Sequence, residues 1–308
     1  MDNDIPITCG CLQCTVPARP EDRADEFYRI RAQCPALQVL IPEAELERHI
    51  AFTSKPQDDA FHCSIPIMAY CLGHLPDLCG LIHRYVLKKC IPGAEINPQY
   101  LKDLRETWIF KPDETSRYRA ARLLFSRIAE LSLANWLELA QWKIIDMELY
   151  GGDFDISARD PSGTTVDFEV KFLAQREAIF ELNVASFRNP VAQSIARYSP
   201  LDYLTFRVYE AARQIRHSAK KRIVAAVVTD YALSYQIPLS DGWLNWSQPK
   251  FLRLDSEIDE FLAKQYQLNP TLDADVSDAI NSLDEIWVMR YKEHFKLARP
   301  HHYSVARK

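Results

Sequence analysis

Across residues 116–142 apolar side chains recur at helical spacing: Leu123, Leu124, Ile128, Leu131, Leu133, Ala134, Leu137, Leu139 and Ala140, with no Gly or Pro among them. A stripe repeating every three to four residues buries one side of a helix, so a long helix is predicted here. The period then changes. Gln141-Trp142-Lys143-Ile144-Ile145 reads as an exit into extended backbone, and Gly151-Gly152 opens a new element. Residues 154–158, the turn Asp160-Pro161-Ser162-Gly163 and residues 164–172 predict a β-hairpin. Along its second arm Val166, Phe168, Val170 and Phe172 share one face, and Asp167, Glu169 and Lys171 the other.

Beyond the hairpin, residues 178–182 read as a strand, 189–198 and 200–219 as helices, and 222–229 and 285–289 as buried strands. Before it, Pro42 stands at a first helical turn leading into 43–50, and Pro92, Pro98 and Pro112 punctuate the approach to a connector at 111–114. The order predicts an α/β chain with a central mixed sheet flanked by helices. A largely helical region of unknown role (1–114) precedes the sheet-bearing domain with its C-terminal extension (115–308).

Composition narrows the class. Gly and Pro number only 8 and 18 of 308 residues, and 47% are hydrophobic, which excludes disordered and low-complexity architectures. The most apolar stretch, from Cys63 to Val86, is interrupted by His74, Pro76, Asp77, His83 and Arg84, so no membrane span is expected. Met1-Asp2-Asn3-Asp4 lacks a basic, apolar leader, and a cytoplasmic protein is expected. A net charge of −5 argues against a bulk electrostatic nucleic-acid binder but leaves room for a local basic face.

All eight cysteines fall in the first 90 residues. Cys11 and Cys14, with Cys9 nearby, have zinc-ligand spacing, but no second pair completes a site. In a reducing compartment disulfides are not expected. Cys34 stands alone, and Cys63, Cys71, Cys79 and Cys90 read as buried free thiols acting as small hydrophobes rather than zinc ligands.

The hairpin carries the chemistry. It can bring Asp155 to Glu169, with Lys171 on the same face, and two carboxylates beside a strand suit a hard divalent cation. Asp155 on one arm, then Glu169-Val170-Lys171 on the next, resembles the core motif of the PD-(D/E)XK, or restriction-endonuclease-like, nuclease superfamily. The resemblance covers about residues 120–230. It lacks the proline of the family's title before Asp155, and the first 110 residues and those from 243 onward resemble no family. It adds Glu130 on the preceding helix. It also adds Gln193 and Tyr198 as auxiliary residues, at a gap one residue longer than usual.

The resemblance implies a restriction-endonuclease-like core. Mg²⁺ or Mn²⁺ would be held by Asp155, Glu169 and the Val170 carbonyl, Lys171 would act on the attacking water, and Glu130 would serve a second ion or a bound water. Asp153 reads as a turn residue or as a support behind the ligands, Asp167 as the rim of the site, and His217, His301 and His302 as surface histidines. Arg213, Arg216, Lys220 and Lys221, with His217 and Arg222, form one basic cluster, and Arg117, Arg119, Arg122 and Arg127 another; each is a phosphate-contacting face or an ordinary solvated one. The expected function is metal-dependent hydrolysis of DNA, with restriction or anti-phage defence suggested by family analogy. An RNA-cleaving enzyme on the same site and a non-catalytic nucleic-acid-binding or scaffold protein are the alternatives. A homo-oligomer or an accessory protein partner stays open.

Overall fold

The long apolar stripe folds as one helix. In the computed structural model of the chain it spans Glu114–Leu139 and buries Leu124, Ile128, Leu131, Leu133, Ala134 and Leu137. Leu123 and Leu139, counted with the stripe in the sequence, are exposed instead. The structure describes residues 28–29, 31–53, 75–173, 200–215, 222–229, 282–293 and 296–304.

In chain order the helices are α1 (Pro35–Leu40), α2 (Glu43–Thr53), α3 (Leu75–Ile82) with a π-helical continuation at His83–Leu87, α4 (Pro98–Glu106) and α5 (Glu114–Leu139). Then come β1 (Lys143–Met147), a 3₁₀ turn (Glu148–Tyr150), β2 (Ile156–Arg159), β3 (Thr165–Leu173), α6 (Pro200–Ile215) and β4 (Arg222–Thr229). The last strands are β5 (Glu285–Glu293), β6 (Lys296–Leu297) and β7 (His301–Ser304). The expected strand at 178–182, the helix at 189–198, and Cys9, Cys11, Cys14, Cys63 and Cys71 lie outside the described residues. No helix among the described residues is long and apolar enough to cross a membrane.

Contacts group the chain into two units, Met1–Asn135 with Glu148–Gly151, and Trp136–Met147 with Gly152–Lys308. In the first, α1 packs on α3 and its π continuation, burying Leu37, Leu40, Leu78, Ile82 and Tyr85. Buried His49 on α2 places Nε2 2.8 Å from the Trp108 carbonyl and its ring edge-on to Phe110. Cys34 and Cys79 are joined by a disulfide, with Cα atoms 6.0 Å apart. This corrects the expectation that Cys34 stands alone and that Cys79 is a free thiol. The packing of α1 on α3 brings together two residues 45 apart in sequence, which spacing alone does not show. Cys90 is not bridged and is half-buried.

Among the described residues the second unit is built on a seven-stranded mixed sheet ordered β1-β2-β3-β4-β5-β6, with β7 also pairing β5. β1, β2 and β3 form an antiparallel meander, and β3, β4 and β5 run parallel. The mixed α/β class expected from the sequence is therefore present. The β2–β3 turn closes where expected: Gly163 adopts φ 92°, Asp160 Oδ1 accepts the Thr164 amide at 2.8 Å, and the Gly163 amide donates to the Asp160 carbonyl at 2.9 Å. On the apolar face Phe168 meets Trp142 and Trp287 edge-on, with ring centroids 5.8 and 5.0 Å apart, and Trp136 stacks likewise on Trp287. Such edge-to-face pairs add to the packing of these four large rings.

α5 ends three residues earlier than its stripe suggests. Trp142 N–H bonds the Leu137 carbonyl and Gln141 N–H the Glu138 carbonyl, which is a Schellman closure. It requires Gln141 at φ 67°, in the left-handed region that suits glycine. Gln141→Gly should stabilise the protein by about 0.5–1 kcal/mol, relief of strain outweighing the added freedom of the unfolded chain. A higher urea midpoint at unchanged slope would show it; a lower midpoint would refute it.

Candidate metal centre

The pairing of β2 with β3 sets Ile156 opposite Phe168 and Ser157 opposite Asp167. Asp155 lies one step before the first pair and Glu169 one step after it, so the two carboxylates come to neighbouring strand positions. Gly152 admits the approach to this corner: a Cβ there would sit 2.9 Å from the Asp146 carboxylate, which folds over its backbone.

Three groups converge at this end of β2 and β3. Asp155 Oδ2 accepts the Val170 amide at 2.6 Å, which fixes the carboxylate against β3. Lys171 Nζ donates to Glu169 Oε1 at 2.7 Å. Glu169 is only 6% exposed, so this ion pair is largely withdrawn from water. Burial disfavours the Lys171 ammonium, but the Glu169 and Asp155 carboxylates, helped by Glu210 on α6, hold its pKa above the ordinary lysine value. The lysine stays a cation and cannot itself be a metal ligand. Asp155 and Glu169 offer oxygens alone, the donor set of a hard divalent ion.

The polar face is buried more deeply than its alternation suggests. Asp167 is 1% exposed and accepts the Ser157 hydroxyl at 2.5 Å. The expectation that it forms the rim of the site is thus corrected; β3 is a central strand with both faces covered. Val170, expected as a carbonyl ligand, is seen here through its amide bond to Asp155.

Glu130 belongs to the helical unit and has its own network. Tyr100 on α4 donates to Glu130 Oε2 at 2.7 Å, and Arg127 Nη1 reaches Glu130 Oε1 at 3.0 Å and Glu148 Oε2 at 2.6 Å. The Arg127 guanidinium also lies over the Tyr100 ring, 4.0 Å from its centroid. Glu130 is 4% exposed, and burial pushes its pKa up to about 7 against the opposing pull of Arg127 and Tyr100. Arg127, one of the arginines of the second basic cluster, is thus engaged with carboxylates within its own unit.

This network predicts a pH dependence. The folded state binds the Glu130 proton more tightly than the unfolded chain does. Its stabilising contribution is present below the ordinary carboxylate range and lost as pH rises through about 7. The loss is on the order of 3 kcal/mol. Glu130→Gln should flatten the fall in stability between pH 5 and pH 8, as read by denaturant midpoints. An unchanged slope would show that Glu130 titrates normally.

Of the residues expected to bind nucleic acid, Arg213 is exposed on α6, with its guanidinium 5.8 Å from the Tyr209 ring centroid. Arg216, Lys220 and Lys221 lie outside the described residues, as do Gln193 and Tyr198.

No family model, curated protein or solved structure matches this chain. Its function therefore rests on the geometry of its own residues.

Two contributors to this geometry escape the sequence. Glu210, paired with Arg207 on the same helix, acts on Lys171 because α6 packs on β3 and β4. Tyr100 meets Glu130 from a separate helix. The only local signal is the i, i+3 spacing of Arg207 and Glu210, which is common on exposed helix faces.

Proposed function

We propose that this chain is a divalent-metal-dependent phosphodiesterase acting on DNA, and that its sheet unit is a restriction-endonuclease-like core. The observation that carries the reading is the convergence of Asp155, Glu169 and Lys171 at the ends of two adjacent strands. The strand order supports it: an antiparallel meander bears the acidic residues, and α6 precedes a strand parallel to β3.

Phosphodiester hydrolysis needs an activated water and compensation of the charge that builds on the phosphoryl oxygens. Asp155 and Glu169 would hold a Mg²⁺ or Mn²⁺ ion, which would supply a more acidic water and Lewis acidity. The Val170 amide holds the Asp155 carboxylate against β3. Lys171 neutralises Glu169, and with an ion held by the carboxylates its ammonium would serve as a hydrogen-bond donor to the developing negative charge. Arg213 presents an exposed cation for phosphate contact.

The test is direct. The pure protein is incubated with circular, linear and single-stranded DNA and with RNA, in Mg²⁺, Mn²⁺ or EDTA. Metal-dependent loss of DNA supports the reading. Cleavage confined to RNA would reassign the substrate, and intact nucleic acid under every condition would overturn the activity.

A further inference from the structure

We propose that Cys34 and Cys79 form a reversible thiol–disulfide exchange site that sets how firmly α1 is held in the helical unit. The two residues come from elements far apart in sequence, and their Cα separation of 6.0 Å lies within the span that a disulfide bridges. Cys34 immediately precedes α1, and Cys79 lies inside α3. The bridge therefore ties the start of one helix to the body of another.

The two cysteines differ in exposure. Cys34 is 5% exposed, whereas Cys79 is half-buried, so an incoming thiolate reaches Cys79 first. A dithiol reductant attacks Cys79 Sγ, and the S–S bond breaks. Its electron pair leaves on Cys34 Sγ, which takes a proton. The second thiol of the reductant then displaces Cys79, so two electrons enter the protein and the reductant departs as a disulfide.

Both states are compatible with a folded unit. α1 packs on α3 and its π continuation, and Leu37, Leu40, Leu78, Ile82 and Tyr85 are buried there, an apolar interface that does not consist of the sulfurs. The bridge adds a constraint to an interface that already exists, which makes its opening a local loosening rather than an unfolding. α1 has only six residues, too few to be helical without that interface, so it is the element whose order responds. Cys90, unbridged and near the Tyr150 hydroxyl, provides an internal control.

The experiment uses the full chain equilibrated in buffers of reduced and oxidised glutathione. Non-reducing peptide mapping reads the bridge, and amide hydrogen exchange reads Leu37–Leu40. A Cys34–Cys79 linked peptide is expected at the oxidising end and should vanish at the reducing end. Exchange in α1 should then rise at least tenfold and return on reoxidation. Cys34→Ser and Cys79→Ala should each hold α1 in the fast-exchanging state in every buffer, and Cys90→Ser should behave as wild type. Absence of the linked peptide in oxidised glutathione, its survival in the folded protein under full reduction, or α1 exchange that ignores the redox state would each overturn the proposal. None of these readouts depends on the metal centre, so nuclease activity and redox control fail or succeed separately.

Discussion

Asp155→Asn and Glu169→Gln should each lower Mg²⁺-dependent DNA cleavage by about 10²–10³-fold or more, a loss of the size seen when one transition-state-stabilising group is removed. Each change takes one negative oxygen donor from a site that has two. Both variants should remain folded. In Asp155→Asn the amide oxygen can still accept the Val170 amide, so the β2–β3 corner keeps its shape. In Glu169→Gln the side-chain oxygen can still accept from Lys171, and the lysine retains the Asp155 and Glu210 charges nearby. Unfolding midpoints, calorimetric Mg²⁺ titration and a cleavage assay on one preparation make the comparison. Near-normal turnover in either variant would show that the carboxylates are not ligands, whatever else the protein cleaves.

How much of this centre could be read in advance depends on the range of the interactions. The hairpin was legible because alternation on β3 and the Asp160–Gly163 turn are local, and the structure closes it within two residues of the expected bounds. The class of the fold followed from the order of periods along the chain. Partners that come from elsewhere in the fold were not legible. Ser157 on Asp167 depends on strand register, Glu210 on the packing of α6, and Cys34 on Cys79 depends on two helices meeting. The end of α5 was misjudged for a local reason of another kind. Gln141 carries no signal of a left-handed residue, because glycine usually takes that position and here does not.

Glu130 shows the difference between position and environment. The sequence marks it as an acidic residue on the helix before the hairpin. Its burial, its bond from Tyr100 and its pairing with Arg127 give it a raised pKa that no spacing rule contains. Asp155, Glu169 and Lys171 differ because their mutual placement is a property of one hairpin, so their proximity could be read from local pattern alone.

Lys171→Ala should separate catalysis from metal binding. The ammonium sits 2.7 Å from Glu169 Oε1 and occupies an oxygen that a metal ligand would need. Removing it leaves Glu169, almost fully buried, without its cation, and breaking a buried pair in this way costs about 3–5 kcal/mol in the metal-free protein. Mg²⁺ or Mn²⁺ can replace the lost charge, so the unfolding midpoint of the variant should rise more steeply with added metal than that of wild type. Metal affinity should increase for the same reason. Cleavage should nonetheless fall by about 10²–10³-fold, because the donor to the developing charge is gone. The wild-type lysine has a raised pKa, so its contribution to stability is fully present below the ordinary lysine range and is lost only as pH climbs through the higher folded value. Wild-type cleavage should accordingly show no alkaline loss from this group below about pH 10. Calorimetry, metal-dependent melting and a pH profile on matched preparations decide the point. Weaker metal binding in Lys171→Ala, or undiminished cleavage, would mean that the lysine only holds Glu169 in place.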